Sequence, residues 1–67
     1  MPSKITQREY EVASYLVQGL TNYEISHTLG ISTHMVKIYI ANLLQKFDAK
    51  NRTQLAYLLG KNNVIRS

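Results

Sequence analysis

Apolar residues recur at helical spacing in four stretches of this chain, and each stretch is opened by a residue able to cap a helix. Val12, Ala13, Leu16 and Val17 share one stripe, Ile25 and Leu29 a second, Val36, Ile40, Leu43 and Phe47 a third, and Leu55, Ala56 and Leu59 a fourth. Thr6-Gln7-Arg8-Glu9 and Thr21-Asn22-Tyr23-Glu24 have capping-box spacing, and Asn51-Arg52-Thr53-Gln54 resembles it, with Gln54 placed to reach back. Ser32 opens the remaining helix, and Ile5 stands where it can fold back as a hydrophobic staple. Gly19 and Gly30 supply left-handed stops, and Asn62-Asn63 is expected to end the last helix in the same way. The pattern predicts helices over about 7–18, 22–29, 33–47 and 52–61, an all-α fold in a single domain spanning 1–67. Nothing in the chain alternates with strand period, repeats, or forms a low-complexity tract.

The second and third predicted helices are joined by only Gly30-Ile31-Ser32, which makes them a helix-turn-helix, an arrangement suited to reading DNA. With the apolar stripe of the third helix turned inward, about 100° per residue places His34, Lys37, Ile38, Ala41 and Gln45 on the free face, with Asn42 beside them. A lysine, amides and small apolar groups match base edges and thymine methyls in a major groove. Ile38 is the residue there that solvation explains least, and a thymine-methyl contact is the preferred reading.

Charge sharpens this picture. Residues 1–30 carry Lys4 and Arg8 against Glu9, Glu11 and Glu24, a net −1. Residues 31–67 carry Lys37, Lys46, Lys50, Arg52, Lys61 and Arg66 against Asp48 alone, a net +5. The positive charge therefore lies on and after the reading helix, where a polyanion would sit. With 67 residues, no cysteine and two histidines, disulfides and thiolate metal sites are excluded, and stability must come from regular helix packing or self-association. No cofactor or metal is expected. The acids form no cluster, and no serine, histidine and acid are spaced as a nucleophilic site, so an enzyme is not expected either. No apolar run approaches the roughly 18 residues of a membrane span and no leader pattern is present, which predicts a cytoplasmic, nucleoid-associated protein without a membrane partner.

From Ile5 to Ile65 the chain resembles the LuxR/FixJ-type helix-turn-helix domain of bacterial transcription regulators. The resemblance rests on Ile5-Thr6-Gln7-Arg8-Glu9 with Glu11-Val12, Gly19-Leu20-Thr21-Asn22-Tyr23-Glu24-Ile25, Ile31-Ser32, Val36-Lys37 and Asn51-Arg52-Thr53-Gln54. It implies a four-helix domain that binds double-stranded DNA sequence-specifically as a homodimer, with the third helix in the major groove and the fourth at the dimer contact. Carried onto this chain, Lys37, Ile38 and Ala41 read bases. Thr21, Asn22, Tyr23, Ser32, Thr33 and Lys46 touch phosphate or set helix ends against it, while Lys50 and Arg52 add charge near the fourth helix. Asn42 and His34 complete the base-reading face. Tyr57, Leu58 and Lys61 lie partly outside the core stripe and form the candidate dimer patch. The chain departs from the family pattern at Tyr23, where lysine or arginine is usual, at Ser26 in place of alanine, at Met35 in place of threonine, and at Tyr39 in place of histidine.

Two other functions compete with this reading. A small adaptor would keep the fold and use the fourth helix, through Tyr57 and Leu58, to bind or block a larger regulator, although the basic reading face has no purpose in that role. A promoter-reading segment like the last region of a sigma factor shares the motif but fits the fourth helix less well. RNA polymerase or a larger regulator is the further partner a transcription regulator would meet. Dimerisation confined to DNA, where two half-sites hold the protomers together, is compatible with so small a domain. The chain fits a stand-alone regulator and a cut-out domain alike.

Overall fold

The computed structural model describes residues 4–62 and Val64. Four helices account for its regular structure: α1 (Gln7–Val17), α2 (Asn22–Leu29), α3 (Thr33–Lys46) and α4 (Arg52–Lys61). No strand occurs among the described residues. α1 and α3 each stop one residue before the ends expected at Gln18 and Phe47.

Side chains fix every helix start. The Thr6 hydroxyl accepts the Glu9 N–H at 3.1 Å while the Glu9 carboxylate accepts the Thr6 N–H at 3.0 Å, and Thr21 and Glu24 repeat the exchange at 3.2 and 2.8 Å. Ser32 Oγ accepts the Met35 N–H at 3.1 Å, and Asn51 Oδ1 accepts the Gln54 N–H at 2.8 Å. Each bond satisfies a donor the helix itself leaves unpaired. The third box is incomplete, because Gln54 Oε1 takes the N–H of Lys50, at 2.6 Å, rather than that of Asn51.

Three helices end in one way. After α1, Gly19 takes φ 91°, its N–H donates to Leu16 O and that of Leu20 to Tyr15 O. After α2, Gly30 takes φ 70° and the Ile31 N–H donates to Ser26 O at 3.0 Å. After α3 the same left-handed position, φ 54°, is held by Asp48, with the Asp48 and Ala49 N–H groups donating to Gln45 O and Leu44 O. These are Schellman-type ends. Asp48 was expected only as part of a short connection; aspartate tolerates the conformation that glycine adopts freely. Asn62 corrects the expectation for α4. Its φ of −90° is right-handed, so the left-handed stop is not at Asn62; Asn63 lies outside the described residues, and the Val64 N–H donates to Leu59 O at 3.0 Å, the same closure as at the other three ends.

α3 packs against all three other helices, while α2 rests on α3 and α1 and meets α4 only through the Arg52 side chain at its start. Val12, Ala13 and Leu16 of α1, Ile25 of α2, Val36, Ile40 and Leu43 of α3 and Leu55 and Leu59 of α4 form the core. Leu29, Phe47, Val17 and Ala56 are half-buried against it. The core is wholly aliphatic apart from its rim, and each fully buried leucine or isoleucine contributes about 1.5–3 kcal/mol. Ser26, where alanine would serve as well sterically, is buried with its hydroxyl donating to Tyr23 O at 2.7 Å, which removes the cost of an unpaired polar group.

Candidate nucleic-acid interface

Burial of Val36, Ile40 and Leu43 against three helices leaves one face of α3 outside. His34, Lys37, Ile38, Ala41 and Gln45 are exposed on it, as the helical wheel requires. Ile38 keeps 39% of its surface exposed, the one large aliphatic residue among those displayed on this face. Lys37 supplies the positive charge of this face. Tyr39 and Met35 are half-buried, Tyr39 against the core.

Asn42 stands apart from that group. It is half-buried and lies beside the Glu9 carboxylate, which its side chain helps to stabilise.

The starts of α2 and α3 flank the exposed face in sequence. Thr21, Ser32 and Thr33 are exposed, and Asn22 is half-buried. In Thr21 and Ser32 the hydroxyl oxygen accepts the capping N–H, so each O–H remains a donor for an anion, added to the open N–H groups and positive dipole of the helix end. Tyr23 is 70% exposed and stacks on His27 with ring centroids 6.2 Å apart and planes 15° from parallel. Lys50 is exposed on the connection before α4.

Lys46 and Arg52 are committed inward. The Lys46 ammonium donates to Glu9 Oε1 at 2.6 Å and to Lys4 O at 3.2 Å, tying the last turn of α3 to the first turn of α1. Burial of Glu9 pushes its carboxyl up, but the Lys46 hydrogen bond and charge, the Thr6 N–H and Asn42 outweigh it and hold the group below the ordinary carboxylate range. The Arg52 guanidinium donates to Leu20 O at 2.6 Å and to Asn22 Oδ1. Both cations were expected at phosphate; the Lys46 ammonium and both terminal nitrogens of Arg52 donate within the domain. Pairs separated by 37 and 30 residues leave no trace in periodicity or local spacing, which is why sequence reasoning missed them.

On α4, Tyr57 is 62% exposed with the Lys61 ammonium 5.7 Å from its ring centroid, and Leu58 is half-buried. Among the described residues, no group of three or more acids and histidines could hold a metal ion, and no helix is long and apolar enough to cross a membrane.

A four-helix unit with an outward-facing third helix and two capped helix starts beside it meets a decisive match in sequence: residues 3–59 fit the family described as "Bacterial regulatory proteins, luxR family". The chain belongs to the luxR family. It is 43% identical over 56 residues to the two-component response regulator PprB of Pseudomonas aeruginosa, covering 84% of this chain and 20% of that protein. It is 38% identical over 61 residues to the transcriptional regulatory protein LiaR of Bacillus subtilis, covering 91% and 29%. The nitrate/nitrite response regulator NarP of Escherichia coli is 41% identical over 56 residues, covering 84% and 26%. Among solved structures, that of the Vibrio cholerae VqmA dimer, a LuxR-type receptor described in the absence of its target DNA, superposes with a TM-score of 0.90 at 34% identity, covering 94% of this chain and 29% of VqmA. The luxR-family chain thus spans between a fifth and a third of the length of these relatives.

Proposed function

We propose that this chain binds double-stranded DNA sequence-specifically, as the reading domain of a transcription regulator acting as a homodimer, with α3 in the major groove. The observation that carries this is the exposed face of α3: a lysine, a partly exposed isoleucine and an alanine, lying beyond two helix starts whose capping hydroxyls keep a free donor. Lys37 donates to base acceptors, Ile38 meets a thymine methyl, and Ala41 admits close approach of the groove floor. His34 and Asn42 lie at the margin of the reading face, Asn42 as a residue that orients α3 through Glu9. Thr21, Asn22, Tyr23, Ser32, Thr33 and Lys50 face the phosphate backbone. Tyr57, Leu58 and Lys61 of α4 form the contact between protomers, a role supported by the exposed Tyr57 ring and by the dimeric state of VqmA.

Selection of bound sequences from a random duplex library at near-physiological salt tests this reading. Recovery of a two-fold motif is the expected result. Lys37→Ala is expected to weaken binding to that motif by about 1–3 kcal/mol while leaving affinity for unrelated duplex nearly intact. Recovery of no motif, with weak binding that vanishes as salt rises, would move the function to an adaptor acting through α4.

A further inference from the structure

Arg52 occupies the first position of α4, yet its guanidinium reaches to the segment that opens α2, a helix that α4 does not otherwise pack against. There it donates to the Leu20 carbonyl and to Asn22 Oδ1. A guanidinium has donors and no acceptor, so the atom of the Asn22 amide that faces it must be the oxygen. The amide is thereby fixed in one of its two orientations, with its NH₂ turned away from Arg52.

Asn22 is the first residue of α2, where the open N–H groups, the dipole and the Thr21 hydroxyl already favour an anion. An unrestrained asparagine at that position presents oxygen or NH₂ to a neighbour with similar ease, and the oxygen repels a phosphate. The contact with Leu20 O acts in the same sense, because it holds the backbone that leads into the helix.

We propose that Arg52 is a positioning residue for DNA: it holds the Asn22 amide with its NH₂ toward a backbone phosphate and makes no phosphate contact itself. The proposal rests on the DNA reading above and adds to it the role of a cation whose two terminal nitrogens are bonded to uncharged oxygens inside the domain. It also couples the start of the candidate dimer helix to the start of the phosphate-facing helix through two hydrogen bonds.

The test uses the full 67-residue chain and its selected duplex in anisotropy titrations over a range of salt, below the thermal transition of every variant. Asn22→Ala is expected to weaken binding about five- to tenfold, the effect of one hydrogen bond to phosphate. Arg52→Gln is expected to cost a similar factor in the native background and almost nothing in the Asn22→Ala background, with an unchanged salt slope. If circular dichroism shows that Arg52→Gln has lost its helices, Arg52→Lys, which keeps the charge and loses the fork, takes its place in the same cycle. The proposal is overturned if Asn22→Ala binds like the native chain, or if the Arg52 substitution costs its full factor in both backgrounds. A salt slope reduced by about 0.9 in Arg52→Gln would overturn it too, by making Arg52 a direct phosphate contact. Failure of the native chain to select any duplex would overturn the DNA reading itself, and this proposal with it.

Discussion

Glu9 is the residue on which most of the domain's polar organisation converges. Its carboxylate caps α1 and receives Lys46, with only 4% of its side chain exposed against 20% for Lys46. Lys46→Met leaves a buried carboxylate facing no cation. A fully buried pair broken in this way costs about 3–5 kcal/mol, and partial solvation of Lys46 reduces the expected loss to about 2–3 kcal/mol in urea unfolding. Because the folded Glu9 carboxyl titrates below its unfolded range, its stabilisation is complete above about pH 4.3 and is lost as pH falls through the lower folded value. Urea midpoints measured from pH 6 to pH 3 should therefore fall for the native chain as Glu9 is protonated, and less so for Lys46→Met. Asp48 carries the opposite kind of strain, a side chain in left-handed backbone. Asp48→Gly is expected to raise stability by about 0.5–1 kcal/mol, read as a shift in the same midpoint.

At the scale of elements, helix boundaries were legible because their chemistry is local. Thr6 with Glu9 and Thr21 with Glu24 sit three residues apart, so their bonds can be read from spacing alone, as can Gly19 and Gly30 at the stops. The exposed face of α3 followed from periodicity for the same reason. What escaped was whatever depends on two elements meeting: Lys46 turning to Glu9, Asn42 lying beside that carboxylate, and Arg52 reaching Asn22. Asp48 escaped differently, since its left-handed backbone belongs to a motif usually marked by glycine. Gly30 sets the angle at which α3 leaves α2. No atom lies within 4 Å of where a Cβ would be, so Gly30→Ala meets conformational strain only and should cost about 1–2 kcal/mol, measured by thermal or urea unfolding. The turn should persist, and with it binding at temperatures where the domain is folded.

For the molecule as a whole, the proposed dimer predicts a separation between fold and assembly. Tyr57 is exposed and its ring lies under the Lys61 ammonium, so Tyr57→Ala removes little from the core. Its expected signature is an unchanged unfolding midpoint together with loss of cooperative occupancy of a two-fold site, each half-site then filling independently in a footprint titration. Retention of cooperativity would place the protomer contact elsewhere. The long-range polar ties have a further consequence, for the order in which the chain acquires structure. Both Lys46–Glu9 and Arg52–Asn22 join a residue of the second half to one near the start of α1 or α2. During synthesis the first two helices emerge with a carboxylate they cannot bury or pair, and with an α2 start held only by its own Thr21–Glu24 capping box. Stable folding must therefore wait until the end of α3 and the beginning of α4 have left the ribosome, and a nascent chain halted after α2 should remain open to proteolysis while the finished domain does not.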